Sequence, residues 1–98
     1  MIKSFGNRAA LEIWETWTSK SVPTELWIRA KALMTIMHAT STLNDLRLKG
    51  QPPNMRLHKL KGPLGNRWSI TIKLPWAITF LFRNGEFEDV KIENYHKG

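Results

Sequence analysis

The N-terminal part of the chain repeats its apolar residues with the period of an α-helix. Positions i, i+3, i+4 and i+7 are occupied by Ala10, Ile13, Trp14 and Trp17. This spacing predicts an amphipathic helix of about three turns. Pro23 then suits the first turn of a second helix, because its missing N–H needs no partner there. That helix is predicted to run to about Thr40, and a wide apolar face suits it for packing on a sheet: Leu26, Ile28, Ala30, Ala32, Leu33, Ile36 and Met37.

The apolar period changes from helical to alternating after a predicted loop over 40–54, which contains paired prolines. Alternation predicts strands at 56–60, 68–72, 76–83 and 86–94, and a short edge strand at 1–5. Asn84-Gly85 lies between two of these strands and predicts a tight hairpin, because a type I′ turn needs positive φ at both central residues. The sequence therefore predicts an α+β domain. Two helices cover one face of a small antiparallel sheet, and the other face is left for a ligand.

Composition limits the possible classes of protein. Ninety-eight residues suffice for one domain, over 1–98, and five Trp among 42% hydrophobic residues indicate a folded core. The absence of cysteine excludes a disulfide framework and a thiolate metal site or nucleophile. The N-terminus lacks the apolar region of a signal peptide, and no apolar run is long enough to span a bilayer. We therefore expect a cytoplasmic protein without a membrane partner.

The net charge of +7 is concentrated in one segment. Residues 46–85 contain eight Lys and Arg and no acid, whereas 86–98 contain two basic residues and four acids. One interpretation is a solvated basic face of an ordinary small domain. The other is a site for a polyanion such as RNA, where phosphate neutralisation releases condensed counterions.

Candidate chemistry lies in this basic segment and at the C-terminus. Arg56 and His58 are two apart, so the alternation of a strand would place them on one face, with Lys61 in the following loop. Tyr95 and His96 add an aromatic ring and a second imidazole. Cations that hold phosphate and imidazoles that transfer protons are sufficient to cleave RNA through its own 2′-hydroxyl, without metal.

Each of these residues also has an ordinary structural interpretation. A lone strand histidine such as His58 is usually a surface residue, and His38 fits a helix face. Trp68 and Trp76 lie beside loops where a base could stack, but tryptophans are more often core residues. Three scattered histidines without cysteine or helical pairing do not form a metal motif. No cofactor or metal is expected.

Several segments resemble the HigB branch of the RelE toxin superfamily, called plasmid maintenance system killer proteins. The chain reads "MIKSF" at its start, "RLHKLKG" at 56–62, "RWSITI" at 67–72, "WAITFLFRNG" at 76–85 and "YH" at 95–96. The corresponding family motifs have the forms R-L-H-P-L-K-G, W-S-I-x-V, N-W-R-I-T-F-x-F-x-x-G and D-Y-H, in the same order. The resemblance implies a small α+β toxin that enters the ribosomal A site and cleaves mRNA without a metal. It also implies that a HigA-type helix-turn-helix antitoxin neutralises the toxin. The toxin would then contact operator DNA only through this antitoxin.

Matching the motifs position by position implies which residues act. The catalytic residues would be His58, Lys61, Tyr95 and His96. The motif order, taken together with the acid-free basic segment, implies RNA binding by Arg56, Lys59, Arg67, Lys73, Trp76 and Asn94. In these roles His96 acts as general acid or base and His58 as the second proton-transfer or phosphate-contacting group. Tyr95 would stack on a base and orient it.

The chain departs from the family motifs at three places. N-W-R reads Pro75-Trp76-Ala77, D-Y-H begins with Asn94, and the proline of R-L-H-P-L-K-G is Lys59. The missing arginine would remove a charge-stabilising donor, a loss that commonly costs about 2.7–4 kcal/mol in the transition state. Two hypotheses follow: an mRNA-cleaving toxin, and a homologue that still binds antitoxin, ribosome or RNA but cleaves poorly.

Overall fold

A computed structural model of the chain describes residues 1–49, 56–60 and 66–94, with the backbone alone at 48 and 49. The helical elements are α1 (Arg8–Thr16), a 3-10 turn (Thr24–Leu26), α2 (Trp27–His38) and α3 (Leu43–Lys49). The strands are β1 (His58–Lys59), β2 (Trp68–Lys73), β3 (Trp76–Arg83) and β4 (Glu86–Asn94). The predicted α+β class is confirmed.

Asn7 fixes both the start of α1 and its position on the sheet. Its Oδ1 accepts a hydrogen bond from Ala10 N–H at 3.1 Å, as an N-cap residue does. The same side chain donates to the backbone oxygen of Ile92 at 3.0 Å and accepts from its N–H at 3.3 Å. The helix ends at Thr16, and Trp17 turns away with φ 69° and 52% exposure. The prediction that Trp17 continues the packed stripe is therefore wrong.

The second predicted helix is confirmed as α2, with Pro23 as the residue that precedes the 3-10 turn. It buries Ala30, Leu33, Met34 and Met37. Ile28 is 74% exposed, so its predicted place on the packed face is wrong. When apolar residues surround most of a helix, their spacing alone does not say which of them face the core.

The predicted loop over 40–54 is wrong at Leu43–Lys49, which form α3, and its part from residue 50 onwards lies outside the described residues. The Asp45 N–H donates to Thr42 Oγ1 at 3.0 Å, which satisfies one of the free donors in the first turn. Leu46 is fully buried and anchors α3 to the core. None of the helices in the described ranges combines the length and apolar character of a membrane span.

The four described strands form one antiparallel sheet in the order β1-β2-β3-β4. The predicted hairpin is confirmed, with φ 52° at Asn84 and 80° at Gly85. The first strand is shorter than predicted and begins at His58, since Arg56 has φ 52°. Ile2 and Phe5 form parallel bridges with Phe87 and Val90 of β4, which confirms the short N-terminal edge segment.

The two faces of the sheet differ in chemistry. Residues directly opposite each other in antiparallel strands share a face. Ile70, Ile78 and Ile92 form one such row and belong to the buried cluster that also contains the helix residues. The next row consists of His58, Ser69, Thr79 and Lys91. We call this side, which also carries Thr71, Ala77 and Glu93, the polar face.

Candidate active site

His58 is exposed on the polar face at the β1 edge of the sheet. Its Nδ1 lies 2.8 Å from the backbone oxygen of Arg56. A carbonyl oxygen only accepts hydrogen bonds, so this contact requires the proton to be on Nδ1. In the neutral ring Nε2 is then the nitrogen with a lone pair. The contact thus leaves Nε2 able to take a proton from a substrate.

Arg56 does not share the strand of His58. Its positive φ places it outside β1, so the alternation that was used to put both side chains on one face does not extend to it. The side chain of Arg56 is exposed, which leaves its predicted role in phosphate binding as a prediction. The backbone oxygen of Arg56, rather than its guanidinium, orients the His58 ring.

Arg67 is buried, and its guanidinium contacts groups within the protein. Nη1 lies 2.7 Å from Asp89 Oδ2, and Nη2 donates to the Asp89 backbone oxygen at 2.7 Å. Nη2 also donates to Thr79 Oγ1 at 3.0 Å, and Thr79 in turn donates to the carboxylate of Glu93. The prediction that Arg67 holds a phosphate is therefore corrected to a structural role, since only 10% of its side chain is exposed.

The layer of hydroxyls beneath the polar face is also buried. Ser69 lies directly opposite His58 and is 1% exposed, and its Oγ has no hydrogen-bond partner among the described residues. Thr79, in the same row, has two partners, Arg67 and Glu93. The row therefore contains one hydroxyl that is fixed by a network and one that is not.

Three of the remaining predicted RNA-binding residues meet at the other end of β3. Trp76 is opposite Lys73 on one side and Asn94 on the other. Lys73 and Asn94 are exposed, whereas Trp76 is half-buried and packs against the core. Trp76 also lines a cavity of about 600 Å³ with the turn that precedes α2. Its position fits both interpretations, core packing and a partly open ring.

Lys61, Tyr95 and His96 lie outside the described residues. Their predicted catalytic roles, and their predicted convergence with His58, stay predictions. The described part of β4 ends at Asn94, immediately before the Tyr-His pair. Within the described ranges, no three His, Asp or Glu side chains come together as a metal site would require.

Comparison with known proteins identifies the family. A family model described as the RelE-like toxin of the type II toxin-antitoxin system HigB matches residues 4–96. The chain belongs to this family. It is also 30% identical over 96 residues to the endoribonuclease HigB of Proteus vulgaris, covering 98% of this chain and all of that protein. As a type II toxin family, HigB-like proteins act together with an antitoxin partner.

Two residues of this HigB-like chain that were not predicted from the sequence take part in the network on the polar face. Asp89 and Glu93 are acids of β4, and they hold Arg67 and Thr79 on the polar face. From the sequence they were counted only among the four acids of residues 86–98. The sequence did contain one signal: Arg67 begins the segment "RWSITI", but nothing local indicated that its partner lies 22 residues further along the chain.

Proposed function

We propose that this HigB-like toxin is a ribosome-dependent endoribonuclease that cleaves mRNA without a metal and is neutralised by a HigA-type helix-turn-helix antitoxin. The endoribonuclease relative and the family membership support the reaction class. The observation that carries the mechanism is the exposed His58 ring, whose Nδ1 is held by the Arg56 carbonyl. The toxin would contact operator DNA only through the antitoxin.

In the proposed reaction the 2′-hydroxyl of the ribose loses its proton to a histidine and attacks the adjacent phosphorus. The bond to the 5′-oxygen breaks, and that oxygen takes a proton from the second histidine. The products are a 2′,3′-cyclic phosphate and a free 5′-hydroxyl, so no external water or metal enters the step. His58 and His96 share the two proton transfers, while Lys61 and Arg56 hold the reacting phosphate. Lys73 contacts a phosphate further along the RNA, and Tyr95 stacks on a base.

The sheet topology sets a geometric requirement for this mechanism. β1 and β4 are at opposite edges of the four-stranded sheet. Neighbouring strands lie about 4.8 Å apart, so these two backbones are separated by about 14 Å. His96 meets the phosphate at His58 only if the chain after Asn94 returns across the polar face. The proposal fails if the two imidazoles prove to face different sides of the sheet.

Mapping of mRNA 5′ ends on translating ribosomes tests this function. Expression of the chain from a tightly controlled promoter should arrest growth and produce new cuts at a fixed position within codons. The cut fragments should carry 5′-hydroxyl and cyclic phosphate ends, and both cuts and arrest should disappear with His96→Ala. Cuts that leave 5′-phosphate ends would contradict the metal-free mechanism.

A second candidate is a homologue that binds antitoxin, ribosome or RNA but cleaves poorly. The observation that favours it is Ala77, which is buried on the polar face directly opposite Glu93, where the family motif has an arginine. No positive charge is available from this position. Growth arrest without new mRNA ends, or no arrest at all, would favour this candidate. Ala77→Arg should then restore cleavage if the missing donor is the cause.

A further inference from the structure

A groove of about 330 Å³ opens at the hairpin end of the sheet, beside β1. It is lined by Lys59, Asn66, Trp68, Leu81, Phe82 and Arg83. Trp68 is half-buried and packs against the core on one side, so the indole is held in place. The groove therefore joins a fixed aromatic ring with exposed cationic and amide side chains.

The charges around this groove favour an anion. Lys59 Nζ lies 6.0 Å from the centroid of the Trp68 ring, and Lys59 is exposed. Arg83 is 63% exposed, and its Nε is 3.7 Å from a carboxylate oxygen of Glu88, a surface pair that contributes little. The lining itself contains no acidic side chain among the described residues. Asn66 adds an exposed amide, which can donate to and accept from a base edge.

We propose that this groove is a nucleotide subsite for single-stranded RNA, separate from the position of phosphate cleavage. One base stacks on Trp68, its phosphate lies between Lys59 and Arg83, and Asn66 hydrogen-bonds to the base edge. Stacking on an aromatic ring next to basic side chains is the usual way in which proteins hold single strands. This inference rests on the proposed function, since it supplies a second contact for the same RNA.

The position of the groove relative to His58 supports this arrangement. His58 and Lys59 are consecutive residues of β1, so they point to opposite faces of the strand. Because β1 is an edge strand, no further described strand blocks the path from one face to the other. An RNA strand passing around this edge can present one linkage to His58 and a neighbouring nucleotide to Trp68. The subsite would thus contribute to which nucleotide is cleaved.

Binding of RNA that cannot be cleaved tests the subsite directly. The probes are a short 2′-O-methyl oligoribonucleotide, which lacks the attacking hydroxyl, and an abasic oligomer of the same length. Fluorescence anisotropy gives the affinity of the full chain and of its variants. Trp68→Leu should weaken binding of the base-bearing oligomer about five- to a hundredfold. It should leave the affinity for the abasic oligomer unchanged, because no base is present to stack.

Lys59→Ala provides the second arm, since Lys59 is exposed and its loss does not disturb the core. This substitution should weaken binding of both oligomers. It should also reduce, by about 1, the magnitude of the slope in a plot of log affinity against log salt concentration. Lys3→Ala is the matched control, because Lys3 is an exposed lysine beside β4, at the opposite edge of the sheet from β1 and outside the residues assigned to RNA. It should change neither quantity.

The outcomes separate this inference from the proposed function. Wild-type affinity in both Trp68→Leu and Lys59→Ala overturns the subsite, even if mRNA is cleaved on ribosomes. If Trp68→Leu weakens binding of the base-bearing and the abasic oligomer equally, Trp68 does not stack on a base. If the wild-type chain binds neither oligomer, the subsite is overturned as well. If both variants behave as expected but ribosomal mRNA stays intact, the subsite stands and the proposed cleavage does not.

Discussion

Arg67 and Asp89 are joined across a strand that lies between them. Arg67 immediately precedes β2 and Asp89 lies in β4, yet Nη1 and Oδ2 are 2.7 Å apart, over β3. Thr79 of β3 lies between them and accepts a hydrogen bond from the same guanidinium. Asp89 has φ 53° and lies where the register of β3 and β4 shifts. The ion pair therefore fixes the irregular part of β4 to the rest of the sheet.

Removal of Asp89 should destabilise the protein through the charge that it leaves behind. Asp89→Ala is expected to lower the free energy of unfolding by about 1–3 kcal/mol, since a buried charged donor loses its partner. Urea denaturation followed by fluorescence measures the change. Glu86→Ala is the control, because its 3.8 Å pair with Lys3 is exposed and such pairs contribute about 0–1 kcal/mol. Equal effects of the two substitutions would contradict a structural role for the Arg67 pair.

Gly6 has no room for a side chain beside this irregular part of β4. An added Cβ would lie 2.3 Å from Asp89 Oδ1 and 2.8 Å from Lys91 Cγ. Gly6→Ala should therefore cost about 1–3 kcal/mol by overpacking. Part of the cost should be absent when Gly6→Ala is made in an Asp89→Ala background, because the nearest contact is then removed. Strictly additive free energies in this double-mutant cycle would show that the two residues do not interact.

The two hydroxyls in the row beneath His58 should respond differently to removal. Thr79→Val keeps the shape of the side chain but removes the partner of Arg67 and Glu93, with an expected cost of about 1–3 kcal/mol. Ser69→Ala removes a buried Oγ that has no partner within the described chain, so stability should stay unchanged or rise by up to about 1–3 kcal/mol, because an unpaired buried hydroxyl is itself unfavourable. Thermal melts of both variants check this. A large loss in Ser69→Ala would show that its hydroxyl is bound after all.

Asn7 has two separable functions in the fold, a helix cap and a link to β4. Asn7→Ser keeps an N-cap oxygen, but the serine side chain is too short to hydrogen-bond to both the N–H and the backbone oxygen of Ile92. Asn7→Ala removes the cap as well as the link to Ile92. Loss of the cap alone costs about 0.5–2 kcal/mol, so Asn7→Ala should be the less stable variant by about that amount. Denaturation midpoints compare the two. Identical midpoints would exclude a contribution of the cap.

His58 should be required for chemistry and not for folding. An asparagine can still donate a hydrogen bond from its amide towards the Arg56 carbonyl, but it cannot accept a proton as imidazole does. His58→Asn should therefore leave the melting temperature unchanged and lower the rate of mRNA cleavage about 10²- to 10⁴-fold. Single-turnover cleavage on ribosome complexes gives the rate. Wild-type cleavage by this variant would remove His58 from the proposed mechanism.

The features predicted correctly from the sequence depend on residues that are close together in the chain. The hairpin at Asn84-Gly85 follows from the positive φ that those two residues tolerate. The first two helices follow from apolar spacing and from Pro23. The motifs that indicate the HigB-like family are also short and local, and the family match over 4–96 confirms that assignment.

The errors arose where the outcome depends on distant residues. Helix α3 was predicted as loop because its few apolar residues gain stability from burial of Leu46 in the core. Arg67 was assigned to RNA because the surrounding forty positions contain no acid, and its partner Asp89 reaches it only through strand pairing.

By itself the sequence determined the α+β class, the hairpin, the basic segment and the family, because local spacing and short motifs encode them. Only the tertiary structure decided which cations of the basic segment stay exposed. Pairing of strands brought Asp89 over Arg67 and buried that charge, while it left Lys59 exposed beside the Trp68 ring. Burial and charge neutralisation depend on which strands are neighbours, and neighbours in a sheet are not neighbours in the chain.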